Sequence, residues 1–546
     1  MFIRKKKTKG NEYLQIVENR REGEKTKQTV IATLGRLDTL QQSGALEALL
    51  RSGARWSEKL MVFEAHRKGD SDGFPSRRIG PALIFERLWR ETFCRDAVLA
   101  CLRGRKFDFP VERAIFLTVL HRLFDPGSDR AAEKWRENYV IEGADGLKLH
   151  HLYRAMFWLG EQMAPEVRKG FSPRCVKDAV EEALFEYRRD LFTEMDIVFF
   201  DTTSIYFEGE GGETLGKYGN SKDHRPDLKQ MVVGVVLDGK GRPVCCELWP
   251  GNVTDVTTLI PVVTRLQERF NVRNICIVAD RGMISSTTIQ RLESKDLGWK
   301  YILGARMRKQ IEVKEDILAR PGRYQVIAPK SDAPESPSPL KVKEVWRDDR
   351  RYVVCVNEDQ AKKDAADREA IIASLSDALK RGDKSLVGNK GYRKYLKSQK
   401  DAFTVDEEKA REEARYDGKW VLRTNTDMPA SEVAMKYKQL WTVETLFRSF
   451  KSLLETRPIY HQRDETIRGH VFCSFLALIL RKELQDRLEA KGYSCEWEDV
   501  IADLDELSVT EIVQEDKRFL LRSEAKGCCG AVFRAAGVAM PPTIQA

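Results

Sequence analysis

The stretch from Asp196 to Leu303 alternates two kinds of periodicity, and that alternation leaves the chain few folds. Ile197-Val198-Phe199-Phe200 reads as a short buried strand closed by Asp201. Met231–Leu237 is a second apolar run, and Asp238-Gly239-Lys240-Gly241 turns it into Val244–Leu248 with the chemistry of a tight hairpin. Thr257–Phe270 has helical spacing, and Ile275–Ala279 is apolar again and closed by Asp280. Thr287–Leu297 is helical, and Tyr301-Ile302-Leu303 is a last apolar run. A hairpin makes antiparallel neighbours and strand–helix–strand units make parallel ones. The predicted class is therefore α/β, with a mixed sheet flanked by helices.

The rest of the chain is arranged around this core. Residues 11–36 alternate, turn and alternate again, the pattern of a hairpin, and a helical stretch follows before a charged break at Lys68–Arg78. Ile79 to Met195 is helical throughout, with Ala82–Phe93, Val111–Leu123 and Val176–Phe192 as examples; Ser128 offers an N-cap to the helix containing Trp135. A basic helical region suits DNA binding, and an ordinary scaffold suits the pattern equally. After residue 305 come strands at Arg323–Ile327 and Lys341–Asn357, a Pro/Ser loop at Lys330–Pro339 and a long charged helix from near Asp364. A helix from Pro429 to about Leu454 and another over Thr466–Leu488 follow. The expected divisions are 1–70 (hairpin and helix), 71–195 (helical), 196–305 (first part of the core), 306–425 (insertion), 426–490 (second part of the core) and 491–546 (appendage).

A chain of 546 residues suggests three or four domains at about 150 residues each. With 42% hydrophobic and 32% charged residues it can build packed cores, which excludes wholesale disorder. The excess of Lys and Arg is only +9, so a polyanionic partner has to be argued from where the charges sit. Eleven cysteines without a C-x-x-C pair suit a reduced, cytosolic protein. The five basic residues of Met1–Gly10 have no apolar segment behind them, as an export signal would. Val471–Leu480 is about half a membrane span and reads as a core helix, so no membrane partner is expected.

Asp201 and Asp280 each close an apolar run, and ligand sites of α/β sheets gather at strand ends. An acid in that place more often simply begins a turn. Leu440, Val443, Phe447, Phe450 and Leu454 follow the 3-4 spacing of a buried helix face, with Tyr437, Glu444, Arg448 and Lys451 on the face beside it. Glu444–Arg448 alone is an ordinary i,i+4 ion pair. Together, two Asp and one Glu offer hard oxygen ligands for Mg²⁺. Two such ions about 4 Å apart can activate a hydroxyl and stabilise the leaving oxygen of a phosphodiester. Spacing alone leaves the metal and the bland readings nearly balanced.

Several motifs add to this reading. They are Asp201-Thr202-Thr203-Ser204-Ile205-Tyr206-Phe207-Glu208-Gly209, the polar segment Ser221–Gln230, Gly251-Asn252-Val253-Thr254-Asp255, Ala279-Asp280-Arg281-Gly282-Met283 and Tyr437–Lys451. With Leu34-Gly35-Arg36-Leu37 and Arg457-Pro458-Ile459-Tyr460-His461, this set resembles the DDE transposases of bacterial insertion sequences, in motif order across nearly the whole chain. The resemblance implies an RNase H-like catalytic core interrupted by a β-rich insertion. It makes Asp201, Asp280 and Glu444 both the catalytic residues and the ligands of Mg²⁺, a pair of ions for which Mn²⁺ can substitute. The activity implied is cleavage at terminal inverted repeats and strand transfer into target DNA. The partners implied are double-stranded DNA, both transposon ends and target, and a second copy in a synaptic homodimer, in the bacterial cytoplasm near the nucleoid. Tyr437 and Lys451 match the outer members of the family's Tyr-Arg-Glu-Lys signature, while Leu440 stands where its arginine is expected. Lys438 or Arg448 could take that arginine's role.

Further DNA contacts are expected from Lys222, Arg225 and Lys229 in the polar segment. The run Lys380–Lys400, with Tyr392 and Tyr395 interleaved, fits a backbone-contacting surface, as the basic tip Arg4–Lys7 does more weakly. The resemblance also implies that an aromatic residue of the insertion can hold a flipped base, for which Trp346 and Trp420, and Trp299 just before it, are candidates, although a core tryptophan is the commoner case. Phosphate-loop, G-x-S-x-G and zinc-ligand patterns are absent. The alternative to an active enzyme is a catalytically inactive DNA-binding relative acting in regulation or synapsis.

Overall fold

A computed structural model describes residues 2–8, 10–22, 25–54, 76–163, 172–188, 196–272, 275–294, 298–327, 340–381, 394–399, 402–514 and 517–545. Most of the Lys68–Arg78 break, the Lys330–Pro339 loop, the end of the Val176–Phe192 helix and most of the Lys380–Lys400 run, Tyr392 included, lie outside the described residues. The chain divides into two units.

The first unit holds Met1–Ile84, Glu137–Val140 and Tyr493–Ala546. The expected hairpin is β2 (Asn11–Glu22) and β3 (Lys25–Arg36), and β1 (Phe2–Thr8) adds a third antiparallel strand on β2. The basic tip Arg4–Lys7 is therefore the middle of an edge strand. Arg4 reaches across the sheet to Gln15 at 3.2 Å and Gln28 at 2.8 Å. Two helices follow, α1 (Leu37–Gln42) and α2 (Ala45–Ala54), and β4 is Ser76–Arg78.

The second unit, Phe85–Arg136 with Ile141–Gly492, contains the helical layer and the large sheet. Its helices begin with the greater part of α3 (Gly80–Glu91), α4 (Cys94–Cys101), α5 (Val111–Phe124), α6 (Asp129–Trp135), α7 (Leu149–Gly160) and α8 (Val176–Arg188). Ser128 caps α6, its Oγ accepting from the Ala131 N–H at 3.2 Å. The core elements are β5 (Ile197–Tyr206), β6 (Gln230–Asp238), β7 (Pro243–Pro250), α9 (Asp255–Phe270), β8 (Cys276–Ala279), α10 (Ser286–Leu292) and β9 (Lys300–Gly304). Beyond β9 the chain forms β10 (Gln325–Ile327), β11 (Leu340–Arg347), β12 (Arg350–Asn357), α11 (Glu358–Arg381), a small hairpin of β13 (Leu396–Gln399) and β14 (Ala402–Val405), α12 (Glu407–Ala414) and β15 (Lys419–Thr424). Then come α13 (Ala430–Lys438), α14 (Trp441–Arg448) and the long α15 (Asp464–Ala490), on which α5 and α7 pack.

One sheet carries the order β10-β11-β12-β15-β9-β8-β5-β6-β7. β6 runs antiparallel to both β5 and β7, and β8 and β9 continue from β5 in parallel. Those five strands with their flanking helices are the RNase H-like arrangement. β15 pairs antiparallel with β9, so the strands of 306–425 extend the core's own sheet. The sheet's interior packs Val198, Phe200, Val236, Ile277, Tyr301 and Trp299 against α9 residues such as Leu259, Val262 and Leu266.

Two sequence expectations need correction. β5 does not stop at Asp201. It runs on to Tyr206 because its antiparallel ladder with β6 continues to Tyr206↔Gln230, whereas the parallel ladder with β8 stops at Phe200↔Ala279. The helix after Pro429 is not continuous to Leu454 either. Around Gln439–Leu440 the amides of Leu440, Thr442 and Val443 bond three residues back, a tighter 3₁₀-type turn, and Ser449–Leu453 widens into π-helical turns. The apolar stripe survives both irregularities, since Leu440, Val443, Phe447, Phe450 and Leu454 are all buried.

The chain's tail supplies α16 (Trp497–Glu506), β16 (Ser508–Gln514), β17 (Lys517–Arg522), α17 (Cys529–Ala536) and β18 (Ile544–Gln545) to the first unit. There β18-β17-β16-β4 form a second sheet, so the tail pairs with the strand preceding α3. Among the described residues no helix is long and apolar enough to cross a membrane.

Candidate active site

The parallel ladder of β5 and β8 is in register up to Phe200↔Ala279, and the next residues are Asp201 and Asp280. Backbone pairing therefore brings the two acids to the same level of the sheet, where the parallel ladder ends and the chain after β8 turns away through Arg281–Met283. Burial is the largest influence on Asp201. It pushes the carboxyl up to about 7 in the ion-free chain, helped by Asp280 and Asp255 and opposed by Lys222 and the Thr202 N–H. A carboxylate under that pressure favours a compensating cation, and the oxygen donor set is the one hard divalent ions take. Gly282 adjoins both Asp255 and Asp280: a Cβ there would stand 3.6 Å from Asp255 Oδ2 and 3.9 Å from Asp280 Oδ2, in ordinary contact with each.

Glu444 lies in the first turn of α14, which packs on β5, and it is exposed. Asp201, Asp280 and Glu444 do not form a group whose ligand atoms all lie within 4.8 Å. The described group that does is Asp129, His461 and His470, far along the chain from the strand ends. There the Arg122 guanidinium donates to His470 Nδ1 at 2.9 Å and occupies the ligand atom a metal would need.

Tyr437 is not presented to solvent. Its hydroxyl donates to Asp280 Oδ1 at 3.0 Å, and burial together with that acid raises its own pKa. It reaches Asp280 past β9 because Gly304 has no side chain, since a Cβ there would lie 2.4 Å from the hydroxyl. Lys451 is largely buried and paired with Asp223 at 2.6 Å, and Arg457 joins the same carboxylate oxygen at 2.6 Å. Burial lowers the lysine's pKa against the pull of Asp223.

In the polar segment, Lys222 donates to the Thr202 carbonyl at 2.6 Å and pairs with Asp255 at 3.2 Å. Arg225 makes a forked pair with Asp227, its nearest distance 2.8 Å, and lies over the Tyr206 ring, and Lys229 pairs with Glu210. Lys438 is half-buried at the end of α13, and Arg448 is exposed at the end of α14. Leu440 is buried, so no cation stands where the signature's arginine is expected. Of the three tryptophans, Trp299 belongs to the sheet core and Trp346 is exposed on β11.

Sequence reasoning missed Asp255, Asp223 and a basic cavity of about 370 Å³ beside Asp280, lined by Arg281, Gly282, Arg306, Met307, Arg308 and Lys309. Arg306 braces the turn after Asp280 through the carbonyls of Arg281 (2.9 Å) and Gly282 (2.8 Å). The clue in the sequence was the spacing A-R-M-R-K just after the Tyr301–Leu303 run, which places cations at a strand end.

The profile of the transposase DDE domain matches residues 192–480, and that of the IS1634 family transposase N-terminal domain matches residues 3–65. No curated protein matches the chain. Among solved structures, the piggyBac transposase synaptic complex with hairpin DNA is 13% identical over 78% of this chain and 79% of its own, with a TM-score of 0.39. The Mos1 transposase paired-end complex with left transposon end is 15% identical over 36% of this chain and 61% of its own, with a TM-score of 0.15. With more than half of its residues inside the domain profile, the chain belongs to the DDE transposase family.

Proposed function

We propose that this transposase cleaves phosphodiester bonds at the terminal inverted repeats of its element and joins the freed 3′ ends to target DNA, with Asp201, Asp280 and Glu444 holding Mg²⁺. The observation that carries the reading is the in-register end of the β5–β8 ladder, after which Asp201, within β5, and Asp280, just past β8, come next at the same level of the sheet. When bound, a pair of such ions would lower the pKa of an attacking hydroxyl and stabilise the departing oxygen. Asp201 and Asp280, with the exposed Glu444 of α14, are the residues that would hold the ions. Tyr437 orients Asp280 through its hydrogen bond. Arg281 and Lys309, exposed at the mouth of the basic cavity, draw the DNA backbone toward the acids, and Lys438 and Arg448 flank them from the helical side. Double-stranded DNA ends are the substrate, and two copies of the chain hold a pair of ends.

The test is strand cleavage of a DNA fragment carrying the element's end, with Mg²⁺ or Mn²⁺. Asp201→Ala, Asp280→Ala and Glu444→Ala should each abolish cleavage and leave end binding in gel shifts intact. Cleavage at the normal rate by any of the three would overturn the assignment. A distinction among them is also expected: Asp201→Ala should lower Mn²⁺ affinity far more than Glu444→Ala, as titrations followed by electron paramagnetic resonance would show.

A further inference from the structure

Thr202 follows Asp201 in β5 and ties several charged groups together. Its N–H donates to Asp201 Oδ1 at 2.7 Å, and its hydroxyl donates to Asp255 Oδ1 at 2.7 Å. The Lys222 ammonium donates to the Thr202 carbonyl at 2.6 Å and hydroxyl at 3.0 Å. The other oxygen of Asp255, Oδ2, holds that ammonium at 3.2 Å. The backbone N–H of Lys222 also donates to Ser204 Oγ at 2.8 Å, so the lysine is anchored to β5 from two sides. Its charge is felt by Asp201.

A lysine in this position is a competitor for the acids it adjoins. Ammonium and divalent cation seek the same oxygens, and an ion entering beside Asp201 does so against the lysine's field. Asp255 offers the ammonium a carboxylate of its own, at the first turn of α9. Gly282 adjoins that same Asp255 oxygen and Asp280, since a Cβ there would stand 3.6 Å from Asp255 Oδ2 and 3.9 Å from Asp280 Oδ2.

We propose that Asp255 is a positioning residue of the metal centre: it holds the Lys222 ammonium against Thr202 and away from Asp201 and Asp280, which keeps that pair open to a divalent cation. This deepens the function proposed above and rests on it. Without Asp255 the ammonium turns to Asp201, and the lysine acts as a built-in inhibitor of ion binding. Removing the lysine as well removes the competitor, so the defect should be reversible by a second substitution. A role as a direct ligand, or in packing alone, does not predict such rescue.

The experiment is Mn²⁺ titration of the full-length chain without DNA, read as free Mn²⁺ by electron paramagnetic resonance, with a thermal unfolding curve for each variant. Asp255→Asn should raise the Mn²⁺ Kd about tenfold or more, and the double variant Asp255→Asn/Lys222→Met should return it to within about threefold of the original. Thr202→Val keeps both charges but removes the hydroxyl that braces them. It should give a smaller rise in Kd, again rescued by Lys222→Met, and it stands in should Asp255→Asn not fold. Unchanged affinity in Asp255→Asn, or a double variant no better than the single one, overturns the inference. Asp201→Ala separates the two levels. If it leaves Mn²⁺ binding intact, the metal site itself is misassigned; if it weakens binding while Asp255→Asn does not, only the role of Asp255 falls.

Discussion

Tyr437 shows what a single residue can and cannot announce. The family signature implies a DNA contact for it, yet its hydroxyl is turned inward onto Asp280. A hydrogen bond to a charged acceptor is worth about 1.5–3 kcal/mol, so Tyr437→Phe should slow cleavage roughly 10- to 100-fold with end binding unchanged in gel shifts. Gly304→Ala pushes on the same hydroxyl from β9 and should impair cleavage similarly, with a stability loss of about 1–3 kcal/mol in urea titrations. Asp223 is a second case. It neutralises both Lys451 and Arg457 in a largely buried setting, and Asp223→Ala strands two cations. A loss of about 3–5 kcal/mol is expected, checked by chemical denaturation, with a smaller loss for Asp223→Asn. Asp201 and Asp280 were legible because an acid closing an apolar run stands out. Asp223 and Asp255 were not, since neither a loop acid nor one at a helix start carries a pattern that names its cation. For the same reason Lys222, Arg225, Lys229 and Lys451 read from the sequence only as DNA contacts, whereas in the fold each faces a carboxylate.

Among the elements, the strands and turns of the core followed their apolar runs closely, while helix continuity did not. Nothing at Gln439–Leu440 breaks a helix by composition, and the tighter turn there is a tertiary effect that keeps Leu440 and Val443 buried together. α5 and α15 carry a further property, a neutral histidine layer. Burial holds His121 at about 4, and burial beside the Arg122 guanidinium holds His470 well below its usual value. His470 Nδ1 accepts from Arg122 at 2.9 Å, leaving Nε2–H for the Thr456 carbonyl at 3.2 Å. The unfolded chain binds these protons near pH 6.5, whereas the folded chain binds that of His121 only near 4 and that of His470 only well below its usual range. The unfolded state therefore holds more protons in that window, and stability must fall as pH drops through it. His121 alone contributes a slope of about 1.4 kcal/mol per pH unit between those limits. Urea midpoints at pH 7.5 and pH 5 should show the loss, and His121→Gln should flatten it. Between α8, β7 and α9, Arg269 meets Glu181 at 2.6 Å and Glu247 at 3.2 Å beside the buried pair of Lys177 and Asp178 at 2.7 Å. Arg269→Met should cost about 3–5 kcal/mol by leaving acids uncompensated, again by denaturation.

For the whole molecule, the segment that sequence texture set apart as an insertion contributes strands to the same sheet as the acids. The change of rhythm after residue 305 was visible, but pairing partners are long-range and leave no local mark. Hydrogen bonding of β15 to β9 means that deleting residues 306–425 bares the edge of the catalytic sheet. Such a deletion should lose cooperative thermal unfolding and aggregate, which circular dichroism and light scattering would report. A tail paired with β4 was equally hidden, because nothing near residue 508 points to residue 78. The meeting of Asp201 and Asp280 belongs to this scale too, since it is specified by a backbone ladder and not by any interlocking of side chains. A one-residue slip of that ladder would point one acid to the opposite face of the sheet, while substitution of the residues around it leaves the meeting point where it is. Lineages of such an element could drift until little of their sequence remains in common, and two short apolar runs, each followed by an aspartate, would still bring two acids to the same place.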